Sequence, residues 1–145
     1  MRYLLALTCW LFLSVAAGQV SIPDFADSYV VLASERNDTS EYVLYLHSSH
    51  KCGFCQRLRR DFMNSEQPEN LRVVFLEYDT PEKNIREVSE TYKGSEVRLV
   101  KTPAFDSEMN FFPTGFIVDQ TKGKIVKKIK GYRGNYWKKI AHIVR

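Results

Sequence analysis

Two cysteines separated by two residues, Cys52 and Cys55, stand where an apolar run gives way to a helical pattern, and this junction constrains the chain more than any other feature. Glu41 to His47 (EYVLYLH) is rich in aromatic and β-branched residues and has the length of a strand. It leads through Ser48-Ser49-His50-Lys51 into Cys52-Gly53-Phe54-Cys55. Beyond Cys55, Leu58 and Phe62 recur at helical spacing, and Gln56, Arg57, Arg59, Arg60 and Asp61 take the other faces. A bridge closing so short a loop restrains an unfolded chain weakly, so the pair is poorly placed as a structural staple. Strand, short loop and helix frame it instead as a reactive dithiol.

The third cysteine, Cys9, lies in the apolar run Tyr3 to Ala17 that follows Arg2. Val15-Ala16-Ala17-Gly18 then offers the small residues a signal peptidase requires. Residues 1–18 are therefore expected to be a secretory signal peptide and residues 19–145 one domain. A membrane anchor is the competing reading, although the run falls short of the roughly 20 apolar residues of a spanning helix. Cleavage leaves Cys52 and Cys55 as the remaining thiols of an exported chain, in an oxidising compartment.

Hydrophobic residues at 44% and charged residues at 26% exclude disordered, collagen-like and coiled-coil classes. The net charge of +4, from 21 Lys and Arg against 17 Asp and Glu, is only mildly basic. Lys122, Lys124, Lys127, Lys128 and Lys130 read as a solvated strand face, and no nucleic-acid module accompanies them.

Leu71 to Tyr78 reads as a buried strand, and Thr80-Pro81 as the N-cap and first-turn proline of a second helix with Ile85, Val88 and Tyr92 on its apolar stripe. Gly94 is read as its stop, and Ser95 to Asn110 is polar and poorly patterned. Phe111 to Asp119 reads as a strand with a proline at its start, and Lys122-Gly123 turns the chain into a second hairpin arm, Lys124 to Lys130. Asn135 caps a last helix lined by Trp137, Ile140, Ala141 and Val144. The expected order is β-α-β-α-β-β-α, an α/β arrangement with a central mixed sheet flanked by helices, preceded by an extra N-terminal helix around Phe25 to Leu32.

A thiol attacks only as thiolate, and a cysteine in the first turn of a helix feels unpaired backbone N–H groups and the positive end of the helix dipole. Cys52 has that place. It is expected to be the more exposed and acidic sulfur, aided by Lys51 and His50, and to form the mixed disulfide that Cys55, one turn deeper, resolves. Gly53 leaves the surface open for a polypeptide, and Phe54 offers it an apolar contact.

Strand, Cys-Gly-Phe-Cys opening a helix, and a proline at the start of a later strand together resemble the thioredoxin superfamily. Phe112-Pro113-Thr114 and the ending Gly131-Tyr132-Arg133-Gly134…Trp137 resemble its small exported members of the SoxW/SoxS type. The resemblance implies a thioredoxin fold and a thiol-disulfide oxidoreductase without a bound cofactor. It further implies a cis bond before Pro113 and a substrate groove at Phe112, Pro113 and Thr114. The expected setting is a monomer in the periplasm, acting on disulfide-containing proteins or small disulfides and served by a membrane electron donor.

The chain departs from that family in three places, one of them Phe112, which is bulkier than the threonine common before the proline. Leu46 stands where cytosolic thioredoxins carry a buried aspartate, and Lys51 replaces the tryptophan before the first cysteine, so proton transfer must use another group, with Glu41 and His47 near in sequence. Two other readings stay open: a disulfide oxidase or isomerase, and a copper-handling site built from His47, His50, Cys52 and Cys55.

Overall fold

The computed structural model describes residues 28–34, 39–100 and 112–145. The expected signal peptide and most of the stretch Ser95 to Asn110 lie outside the described residues. Within them the strands are β1 (Ser28–Leu32), β2 (Tyr42–Ser48), β3 (Leu71–Tyr78), β4 (Glu96–Val100), β5 (Thr114–Asp119) and β6 (Lys124–Lys130). The helices are α1 (Gly53–Met63), α2 (Glu82–Glu87) and α3 (Tyr136–Ile143), with a 3-10 turn at Ser89–Tyr92.

One mixed sheet has the order β1-β4-β3-β2-β5-β6. β2 and β3 run parallel at its centre, with His47 opposite Leu76, and β5 pairs antiparallel with β2, with His47 opposite Thr114. Central strands covered on both faces read as nearly unbroken apolar runs, as β2 and β3 do. Alternate residues go to opposite faces. Leu44, Leu46, Val73 and Phe75 join Leu58 and Phe62 of α1 and Trp137 and Ile140 of α3 in the main core, whereas Val43, Val74, Leu76 and Val100 form a smaller cluster on the other face. Each such fully buried side chain contributes about 1.5–3 kcal/mol by leaving water. The indole N–H of Trp137 donates to the Leu58 carbonyl at 3.2 Å and ties α3 to α1.

Three expectations are corrected. Residues 28–32 form strand β1, not the end of an N-terminal helix: Tyr29-Val30-Val31-Leu32 suits a pleated surface and pairs antiparallel with β4. Glu96–Val100, read as poorly patterned, is a strand because β3 offers it a parallel edge and because the buried Glu96 carboxylate meets Arg72 of β3 at 3.4 Å. Helix α2 begins one residue later than expected, with Pro81 at its N-cap, and Val88 is exposed past its end.

Two turns follow the sequence closely. Gly123 turns the β5–β6 hairpin at φ +58°, and Gly94, at φ +75°, follows the 3-10 turn; both conformations favour glycine. Asn135 precedes α3 in a left-handed conformation at φ 71° and makes no side-chain cap.

Candidate active site

Helix α1 starts directly after Cys52, whose backbone is extended while its Sγ accepts the Cys55 N–H at 3.1 Å. Its carbonyl accepts the Gln56 N–H at 3.1 Å. The sulfur thus occupies the N-cap, where helix amides and the dipole favour negative charge. Cys52 and Cys55 form a disulfide with their Cα atoms 5.2 Å apart. Cys55 is wholly buried, whereas Cys52 is partly accessible. Gly53 and Phe54 are exposed; a Cβ added at Gly53 would meet nothing within 4 Å, and the Arg57 guanidinium sits 5.4 Å from the Phe54 ring centre.

The loop before Cys52 is held from below. The Thr80 hydroxyl accepts the His50 N–H at 3.0 Å, and the Gln56 side-chain amide donates to the His50 carbonyl at 2.9 Å. Thr80 serves this loop rather than capping α2. The Lys51 ammonium, expected to assist Cys52, is paired with the Asp79 carboxylate at 2.5 Å on the surface. That hydrogen bond and charge hold the Asp79 carboxyl below its ordinary range.

Glu77, wholly buried in β3, is the hub beneath this loop. It accepts from the Ser48 hydroxyl at 2.5 Å, the Tyr92 hydroxyl at 2.7 Å, the Thr80 hydroxyl at 2.8 Å and the Arg59 guanidinium at 3.1 Å. Arg59 also donates to the Ser48 hydroxyl at 3.0 Å. Arg59 is therefore buried on the inner side of α1, contrary to its placement among the outer residues. A buried charge is tolerated when paired and hydrogen-bonded, and this cluster does both. Burial and the Glu77 charge push the Tyr92 phenol up. Sequence reasoning missed the cluster; the available signal was a glutamate inside the apolar run LRVVFLEY, which demands a buried partner.

The Phe112–Pro113 peptide bond is cis, as expected. The Pro113 carbonyl accepts the Gly131 N–H at 2.8 Å, and Thr114, wholly buried, stands between His47 of β2 and Lys130 of β6. The Phe112 ring lies 4.6 Å from the His47 ring and stacks on Tyr78 at 6.1 Å. A groove of about 410 Å³ is lined by Phe54, Phe112, Lys130, Gly131 and Tyr132, so Phe54 and Phe112 meet in one depression; Pro113 and Thr114, expected in the groove with Phe112, are buried and are not among its lining residues. Tyr132 donates its phenolic hydrogen to Asp61 of α1, which ties the groove's far wall to the helix.

His47 is wholly buried, and burial lowers its pKa to about 4. The ring is therefore a neutral imidazole at ordinary pH, set against Phe112. Glu41, the other expected proton carrier, lies at the opposite end of β2, where its carbonyl accepts the Gln120 N–H. His47, His50, Cys52 and Cys55 do not converge on a common point: among the described residues no group of three or more His, Cys, Asp or Glu side chains could hold a metal.

Comparison with known proteins agrees with this fold. Solved structures with the same fold include StoA from Bacillus subtilis (TM-score 0.59, 12% identity, covering 86% of this chain and 99% of that one). The thioredoxin domain of a thiol-disulfide oxidoreductase from Bacteroides vulgatus is similar at TM-score 0.59 and 16% identity, over 88% of this chain and 100% of that one. A thioredoxin-related protein from Neisseria meningitidis serogroup B matches at TM-score 0.54 and 12% identity, over 78% and 89%. The search of curated proteins finds no match. A family model described as the thioredoxin-like domain matches residues 32–137, a span that holds both cysteines, the cis proline and the groove. This chain belongs to the thioredoxin-like family.

Proposed function

We propose that the protein is a thiol-disulfide oxidoreductase that reduces disulfides of proteins or small molecules through Cys52 and Cys55. The observation that carries the reading is the unequal setting of the two sulfurs: Cys52 at the N-cap and accessible, Cys55 buried one turn deeper. In the reduced protein the Cys52 thiolate attacks a substrate disulfide, one sulfur leaves as thiolate, and a mixed disulfide forms. Cys55 then gives up its proton and attacks Cys52, closing the Cys52–Cys55 bond and releasing the substrate as a dithiol that has gained two electrons. Gly53 admits the substrate, Phe54 and Phe112 meet its apolar side chains, and Pro113 and Thr114 fix Phe112 to the sheet. No cofactor is required.

The cellular setting we propose is export through a signal peptide at residues 1–18 and a monomeric domain from 19 to 145 working in the periplasm. A membrane electron donor would return Cys52–Cys55 to the dithiol. The Cys-Gly-Phe-Cys sequence supports the reducing direction, because no histidine stands between the cysteines to stabilise the thiolate further, and less thiolate stabilisation means a lower potential. The ending of the SoxW/SoxS type supports it too.

Trapping tests the reading. Cys55→Ser should accumulate mixed disulfides with partners in cells, and Cys52→Ser almost none. Equal trapping would overturn the assignment of roles. Acid quenching and thiol labelling of growing cells should find the pair mostly reduced. A mostly oxidised pair, with a potential near the roughly −120 mV of strong oxidants, would establish the oxidase instead.

A further inference from the structure

The modest net charge of the chain conceals a steep division. Residues 120–145 carry nine Lys and Arg and no Asp or Glu, whereas residues 1–119 carry 12 basic residues against 17 acidic ones. The fold places the basic part at one side of the sheet, as the edge strand β6 and helix α3. Between them runs a trough of about 350 Å³ to which Lys127, Lys128, Lys130, Arg133 and Lys139 contribute, and among the described residues no acidic side chain lines it. Ile129 and Ile143 give it an apolar part.

The trough adjoins the groove beside the dithiol: Lys130 and Gly131 line both. A chain whose disulfide rests against Phe54 and Phe112 therefore has a sheltered continuation past Gly131 and into cationic surroundings. We infer that the trough binds an acidic stretch of the substrate polypeptide, adjacent in sequence to the disulfide that Cys52 attacks. The inference rests on the oxidoreductase reading and names its substrate class: disulfide-bearing polypeptides with an Asp- or Glu-rich flank. Clustered charge of one sign along a cleft raises the encounter rate of an oppositely charged partner and penalises a like-charged one. A narrow trough with an apolar part suits an extended chain better than the flat surface of a bilayer.

The test is a single turnover, which needs no recycling reductant. Pre-reduced, desalted protein is mixed with bis(2-hydroxyethyl) disulfide, or with one of three peptides sharing one disulfide: an acidic flank before it, an acidic flank after it, or a Ser/Gly flank. Acid-quenched products are counted by mass. At low ionic strength one of the acidic peptides should react at least about fivefold faster than the Ser/Gly peptide, and the advantage should vanish near 1 M salt, where the screening length is about 3 Å. Lys127→Glu with Lys139→Glu should bring the acidic-peptide rate, taken relative to the small-disulfide rate, down to that of the Ser/Gly peptide or below, and the corresponding Gln pair should leave an intermediate value.

Equal rates for all peptides, or an advantage indifferent to salt, would overturn the inference while leaving the oxidoreductase standing. Co-sedimentation with phosphatidylglycerol vesicles, or binding of a DNA oligomer, without any peptide preference would reassign the trough and overturn it too. Failure of the wild-type protein to reduce the small disulfide or any peptide would remove the oxidoreductase reading, and this inference with it.

Discussion

Strands β3 and β6 have nearly the same length and opposite fates. β3 (LRVVFLEY) lies between two parallel neighbours with six of its eight residues buried, and β6 (KIVKKIK) is the outer strand of a hairpin with its lysines exposed. The one acidic group of β3 had to be satisfied inside, so Glu77 gathered Ser48, Arg59, Thr80 and Tyr92 and thereby fixed the loop that carries Cys52. The charges of β6 sit in water, where they cost little, keep an open edge from pairing with other chains, and remain available to a partner. A buried charge organises the site from within, whereas an exposed row of charges leaves the fold's interior untouched.

The largest effect should come from breaking the β3 cluster. Glu77→Leu leaves the Arg59 guanidinium buried without its carboxylate, a change that costs about 3–5 kcal/mol in comparable pairs. Denaturant unfolding should show that loss, and adding Arg59→Met should restore part of it, since the second substitution removes the uncompensated charge. Losses that simply add would mean that the two residues do not depend on each other.

A pH titration of stability probes the next strand inward. The His47 pKa is about 4 in the folded protein against an ordinary 6.5, so between these values the unfolded chain holds a proton that the folded one refuses. Stability is then complete above about pH 6.5 and falls as the pH drops toward 4, by about 3 kcal/mol from this group. His47→Leu should flatten that segment of the curve. An unchanged slope in the variant would assign the acid sensitivity to other groups.

The smallest effect is expected on β6. Val126 is 38% exposed on the edge strand, and Val126→Ala should shift stability by no more than about 0.5 kcal/mol. A loss above about 2 kcal/mol would mean that this strand is covered in the native protein, and the contrast with β3 would collapse.

Local pattern accounts for much of this architecture. β3 and β6 occupy the residues expected of them, β2 is displaced by one residue, and α1 opens at the cysteines because Leu58 and Phe62 repeat at helical spacing. The cis proline followed from family resemblance rather than from periodicity, and the meeting of Phe54 with Phe112 came only with the fold. β1 and β4 escaped because each has five residues, too few for a period to separate strand from helix or loop, and because β4 exists by pairing with β3 and β1 by pairing with β4.

From the chain alone one could place the cysteine pair at the start of a helix, with Cys52 at its cap, since capping acts over a single turn. Tertiary structure decided the rest: that Arg59 turns inward to Glu77, that Lys51 pairs with Asp79, that His47 is buried as a neutral ring, and that Lys130 of β6 borders the groove beside the cysteines. The physical reason is range. Helix starts and turns are set by neighbours a few residues away, whereas Arg59 and Glu77 are 18 residues apart and their pairing has meaning only once the core has excluded water around both.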